Sequence, residues 1–146
     1  MKSFLNFQKP KRNNIKNILV IDLLYLGDLI FAVPFFKNLK ENFPEAELNL
    51  VMNSSFQGIF KNSSFLDNIY YYDKNWNLKE SIKFGWKLRE NEFDLGLNIH
   101  GNWRTTLLMR IINPQVIWGY EESIKNLLMD KTIKTTSSPL KRRHIF

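Results

Sequence analysis

The residues best able to do chemistry stand at two strand–helix junctions. At the first, Gly27-Asp28 follows a short apolar run and opens an amphipathic stretch. A carboxylate at a helix start can cap backbone donors, which is the common role of Asp there. The same carboxylate is held ionised by the helix dipole. It can then act as a general base, taking the proton of a sugar hydroxyl as that hydroxyl attacks an activated sugar. Both roles can coexist, and Gly27 leaves room for a substrate to approach the backbone. At the second junction, His100, Gly101, Asn102 and Arg104 lie within five residues. His100 can hydrogen-bond a substrate and Arg104 can grip a phosphate or carboxylate in bidentate fashion. The plainer reading is a capped turn followed by a solvated arginine.

Several chemistries lack their residues. The stretch Leu23–Leu29 carries one glycine, where a dinucleotide fingerprint needs three, and no Walker phosphate loop is present. There is no cysteine, so thiolate ligands and disulfides are out. The two histidines, His100 and His144, make no metal site without carboxylate help. Trp76, Trp86 and Trp103 read as core or rim packing rather than stacking platforms.

These residues need a frame to hold them. NILVID (17–22) is a buried strand, ended by Leu26-Gly27-Asp28. Leu29, Ala32, Val33, Phe36 and Leu39 recur at helical spacing, which predicts a helix from Asp28 to about Asn42. Pro34 sits awkwardly inside it, so this helix either starts late or is kinked. ELNLVM (47–52) is a second strand, with Ser54 and Ser55 capping a short helix through Phe60. DNIYYY (67–72) is a third strand and 77–91 a third helix. FDLGLNI (93–99), Trp103–Ile112 and QVIWG (115–119) give a strand, a helix and a strand. A short helix at 123–129 and a strand at 131–134 complete the series. Strands alternating with helices predict a Rossmann-like α/β fold, a mainly parallel sheet with helices on both faces. In such sheets ligands bind beyond the carboxyl ends of the strands. Leu23–Asp28, Met52–Ser55 and Ile99–Arg104 should therefore come together.

The chain has 146 residues and is 44% hydrophobic, enough for one domain with a real core. Its net charge of +7 favours anionic partners, although abundant Lys also explains it as composition. Residues 18–36 are apolar enough to suggest a membrane span, but Asp22, Asp28 and Pro34 interrupt the run. A strand, a turn and a helix fit better. Residues 1–16 read as a basic amino-terminal arm with no apolar segment of signal-peptide length. A receiver-like signalling domain would place an acidic pair after the first strand, where Leu23 and Leu24 stand.

The order of motifs closely resembles glycosyltransferase family 9, the heptosyltransferases of lipopolysaccharide core assembly. Gly27-Asp28, Val33-Pro34 and Pro44-Glu45-Ala46 match the family's opening strand, loop and helix and the approach to its second strand. FDLGLNIHGNWRTTLLMRI resembles its YD-x-x-x-D-x-Q-G-x-x-R-S segment, and VIWGYEES its next strand and loop. His144 resembles the histidine that leads into a second domain. The resemblance covers about residues 17–146.

It implies an inverting, metal-independent GT-B transferase of two Rossmann-like halves. Residues 17–146 would be the amino-terminal, acceptor-side half. Asp28 matches the catalytic aspartate, and Pro34 has counterparts in the family. The acceptor implied is an anionic glycolipid of the lipid A–Kdo type, met at the cytoplasmic face of the inner membrane by a peripheral enzyme; nucleic acid is not expected. The donor, ADP-heptose, would be bound by a carboxyl-terminal domain absent from these residues, so the chain by itself is expected to be inactive. No cofactor is implied. The chain departs from the family at Asp22, where members carry Lys or Arg, and at Asn98 and His100, where Asp and Gln are usual. Lys125 stands where a substrate-binding Arg is frequent. The alternative function is a non-catalytic α/β module that binds an anionic glycolipid or another anion through its basic surface.

Overall fold

The protein is described by a computed structural model covering residues 14–99, 102–120 and 131–133. Six strands form one sheet: β1 (Asn17–Asp22), β2 (Glu47–Asn53), β3 (Asn68–Tyr72), β4 (Leu95–Asn98), β5 (Val116–Tyr120) and β6 (Lys131–Ile133). Their order is β3-β2-β1-β4-β5-β6, and every neighbouring pair is parallel. The Rossmann-like expectation is met.

Alternation along the strands builds a core on each face. Ile18 and Val20 of β1 join Leu48, Leu50, Leu95 and Leu97 on one side. Leu19 and Ile21 join Val51, Leu108, Met109 and Ile112 on the other. Buried on both faces, β1 must be apolar throughout, which is why its sequence mimics part of a membrane span. Among the described residues, no helix is long and apolar enough to cross a membrane.

Parallel neighbours need crossovers, and right-handed ones assign the helices to faces. Connections running toward β3 put α1 (Leu26–Phe31) and α2 (Val33–Asn42) on the first face. Connections running toward β6 put α3 (Leu78–Arg89) and α4 (Trp103–Ile112) on the second. The helix anticipated over 28–42 is thus two helices meeting at Ala32, with Pro34 in the first turn of α2. There the missing N–H of proline leaves no intrahelical bond unmade. The anticipated helix through Phe60 shrinks to one 3₁₀ turn, Ser54–Phe56. Its cap is Asn53, whose side chain accepts from Ser55 N at 3.0 Å. Gly58, at φ 94°, turns the chain away from any helix soon after. The short helix expected at 123–129 lies outside the described residues.

Side chains stitch the amino-terminal end of the sheet. Asp94 Oδ2 accepts from Lys16 N and Asn17 N at 2.8 and 2.9 Å, and Oδ1 accepts from Gln115 Nε2 at 3.0 Å. Asp67 accepts from Leu48 N and pairs with Lys40 of α2, both at 2.7 Å. Burial would raise the Asp67 carboxyl, but these two donors outweigh it and hold it below its usual range.

Helices α3 and α4 approach closely at Gly85, where an added Cβ would sit 2.7 Å from Ile111 Cγ2. Gly85→Ala therefore overpacks the seam, although Ala is the better helix former. The expected result is a loss of about 1–3 kcal/mol in denaturant unfolding. A gain in stability would show that the seam yields freely.

Candidate active site

The strand order reverses at β1: the chain runs from β1 to β2 and β3, then returns to β4 on the other side. Parallel sheets open a crevice at such a point, beyond the carboxyl ends of the two strands. A cleft of about 270 Å³ lies there, lined by Asp22, Leu24 and Asp28 on one side and Ile99 after β4 on the other. Phe31, Ala32 and Phe35 of α1 and α2 complete the wall. Phe35 and Ile99 also border an adjoining apolar hollow of about 210 Å³, which reaches Leu97 and Trp118.

Asp28 stands at the third position of α1, with Tyr25 as the cap residue. Its Oδ2 accepts from Tyr25 N at 3.3 Å, while its own N–H donates to Tyr25 O at 3.0 Å. The capping role is real but uses one oxygen. Among the described residues Oδ1 takes no hydrogen bond, and the side chain is exposed to the cleft. Gly27 is open too, since a Cβ there would meet nothing within 4 Å.

The structure brings the first and third anticipated segments together through Leu24, Asp28 and Ile99. Met52–Ser55 does not line the cleft. His100, Gly101 and Lys125 lie outside the described residues. Asn102 caps α4, accepting from Thr105 N at 2.9 Å. Arg104 turns away toward the β3–α3 loop, donating to Lys74 O at 3.2 Å. Asn98 is buried and donates to Thr106 Oγ1 at 3.3 Å, tying β4 to α4. The tryptophans divide: Trp76 packs on Tyr72 and Phe84 at 5.2 Å centroid distances, whereas Trp86 and Trp103 are exposed.

Asp22 is the cleft residue that spacing undervalued. It ends β1 at 1% exposure, with Oδ1 accepting from Leu24 N at 3.1 Å. Burial pushes its carboxyl above the usual range. The Leu24 N–H and Lys74 pull it down, and the negative Asp28 adds to the rise. A buried strand end beside a turn that carries a second carboxylate was the available signal, but an acid inside an apolar run reads first as an interruption.

A raised folded-state pKa has a definite consequence for stability. The folded protein binds the Asp22 proton more tightly than the unfolded chain does. This contribution is therefore complete below the ordinary carboxylate range and is lost as pH rises through the folded value. Asp22→Asn keeps an acceptor for Leu24 N and removes the charge. It should raise Tm at neutral pH, with the advantage shrinking as pH falls through the carboxylate range. A variant less stable than the parent at neutral pH would refute this account.

No protein-family model matches the chain. Lipopolysaccharide heptosyltransferase 3 of Escherichia coli is 28% identical over 96 residues, which is 62% of this chain and 28% of that protein. The chain thus spans less than a third of that relative's length. Among solved structures, a glycosyl transferase family 9 protein from Veillonella parvula superposes with a TM-score of 0.77 at 23% identity. It covers 82% of this chain and 36% of its own. The E. coli ADP-heptose lps heptosyltransferase II gives a TM-score of 0.72 at 16% identity, covering 82% of this chain and 35% of its own. Over most of its described length the chain is similar in sequence to lipopolysaccharide heptosyltransferase 3 and in fold to the glycosyl transferase family 9 structures.

Proposed function

We propose that this chain forms the acceptor-side wall of an inverting glycosyltransferase, the amino-terminal half of a GT-B enzyme, and that Asp28 is its general base. The observation that carries the reading is the placement of Asp28 at the strand-order reversal, with its exposed side chain lining an open cleft and only Oδ2 engaged by Tyr25 N. The acceptor hydroxyl would lie against Asp28 Oδ1. As its oxygen bonds to the anomeric carbon, the proton passes to the carboxylate. The bond from that carbon to the nucleoside diphosphate breaks, and the leaving group departs with the electron pair. Attack opposite the leaving group inverts the anomeric centre. Asp22 and Asp28 together give the cleft a negative field, which favours accepting that proton.

By kinship with the relatives above, the donor is ADP-heptose and the acceptor the inner core of lipopolysaccharide, a glycolipid reached from the cytoplasmic membrane surface. The donor would be held outside these residues, in the part of the relatives' length that this chain does not span. The 146 residues alone would then transfer no sugar. Gly27, with its open approach, is the acceptor contact this reading favours, and His100, Gly101, Asn102, Arg104 and Lys125 are the further candidates it carries.

The test separates base from cap. Asn at position 28 keeps an oxygen for Tyr25 N but cannot take the proton. In a form of the protein that also carries a donor domain, Asp28→Asn should lower kcat by about 100-fold or more. Its stability should stay within about 0.5 kcal/mol of the parent. Near-normal turnover in Asp28→Asn would refute the base assignment.

A further inference from the structure

The outer surface of α3 and α4 is unlike the rest of the fold, and the proposed chemistry does not use it. Along α3, Lys79, Lys83 and Lys87 recur every four residues, with Trp86 and Arg89 beside them, all exposed. Residues three and four apart share a helix face, so these form one outward stripe. On α4, Trp103, Arg104 and Leu107 are exposed. The two helices meet in a shallow crevice lined by Leu78 and Ile82 from one and by Trp103 and Leu107 from the other. Trp86 is 57% exposed and Trp103 62%. Each carries a guanidinium over its ring, Arg89 at 5.0 Å and Arg104 at 5.7 Å. Leu78 is 54% exposed. The opposing charges are Glu80, whose carboxylate is engaged by Asn77 N at 2.8 Å, and the exposed Glu90 and Glu92 at the end of α3; with Arg104 and Arg110 of α4 counted, the cations still outnumber them.

We propose that this α3–α4 face docks on an anionic lipid bilayer. The charge selects the partner's sign, since each Lys or Arg near an anionic surface adds attraction. The exposed Leu and Trp select its kind. Nucleic acid offers no apolar layer for Leu78 and Leu107, whereas the headgroup boundary takes Trp rings and aliphatic stems while the cations stay among the phosphates. The location is also suitable. Lys74 Nζ lies 5.2 Å from the Tyr25 ring, and its carbonyl holds Arg104, so the rim of this face continues into the loop that carries Asp28. A protein lying on α3 and α4 would hold the cleft edge near the membrane, where a lipid-borne acceptor presents its sugar. The inference rests on the proposed function for that benefit, not for the docking itself.

The test uses the 146-residue chain and vesicles free of glycolipid. Co-sedimentation should be strong with phosphatidylethanolamine–phosphatidylglycerol vesicles, weak with phosphatidylcholine, and reduced by salt. Lys83→Glu/Lys87→Glu should weaken partitioning by at least about tenfold. Trp86→Ser should weaken it as well, and brominated lipid should quench Trp86 and Trp103. Asp28→Asn should bind like the parent, so the docking reading survives failure of the base assignment. Equal binding to both vesicle types, or a charge-reversed variant that binds like the parent, would overturn the proposal. So would a salt-dependent dimer that forms through this face and leaves vesicles unbound. Loss of vesicle binding in these variants, with transfer to a soluble acceptor intact once they are placed in a form that also carries a donor domain, would support the surface and leave the chemistry standing.

Discussion

Everything in this fold hangs on β1 being hydrogen-bonded on both sides. Its pairing with β2 on one edge and β4 on the other makes it the interior strand about which chain direction reverses. Loops leaving β1 and β4 must diverge to opposite faces, because crossovers of fixed hand carry them to different helix layers. The cleft is the space they leave behind. A residue just past β1 is therefore rigidly placed with respect to Ile99 without any direct bond between them. Two carboxylates, Asp22 and Asp28, occupy this position, one buried by the sheet and one presented by the next helix.

The two ends of the sheet divide the polar residues between structure and site. At the amino-terminal end, Asp67 and Asp94 spend both carboxylate oxygens, or a shared one, on backbone amides, Lys40 and Gln115. Asn49 bridges β1, β2 and β3 there, donating to Asn17 Oδ1 and Ile18 O and accepting from Asn68. Such saturated groups hold register. At the carboxyl end, the exposed Asp28 gives one oxygen to the Tyr25 amide and lines the cleft, so its carboxylate is not locked into the sheet as Asp67 and Asp94 are.

Much of the frame was legible because its signals are periodic. The α4 boundaries follow directly from Asn102 as a cap and the left-handed Asn113 as a stop. Strands β1 and β2 could be read from apolar runs bounded by polar residues. The break at Ala32 was half legible: Pro34 announced a disturbance, but only packing decides whether a helix bends or divides. The short 3₁₀ turn was overextended because Ser54 and Ser55 resemble caps, while Asn53 had already taken that role. At the site, Asp28 could be found from its turn, since helix starts and strand ends are local features. The burial of Asp22 at the cleft and the outward turn of Arg104 could not, because burial by β2 and β4 and the reach to Lys74 O join residues far apart in sequence.

The division at Ala32 leaves α1 as six residues with one buried side chain, Leu29. Burial of one leucine is worth about 2 kcal/mol, and a helix this short has little stability of its own. Leu26, Ile30 and Phe31 remain exposed around it. The support beneath Asp28 is thus a pivot rather than a clamp. A molecule seated in the cleft would complete the missing packing against Phe31 and stiffen the helix that aims the carboxylate. Alignment of the Asp28 carboxylate would then be a property of the occupied protein, and an ill-fitting occupant would forfeit not only its own contacts but the aim of that carboxylate.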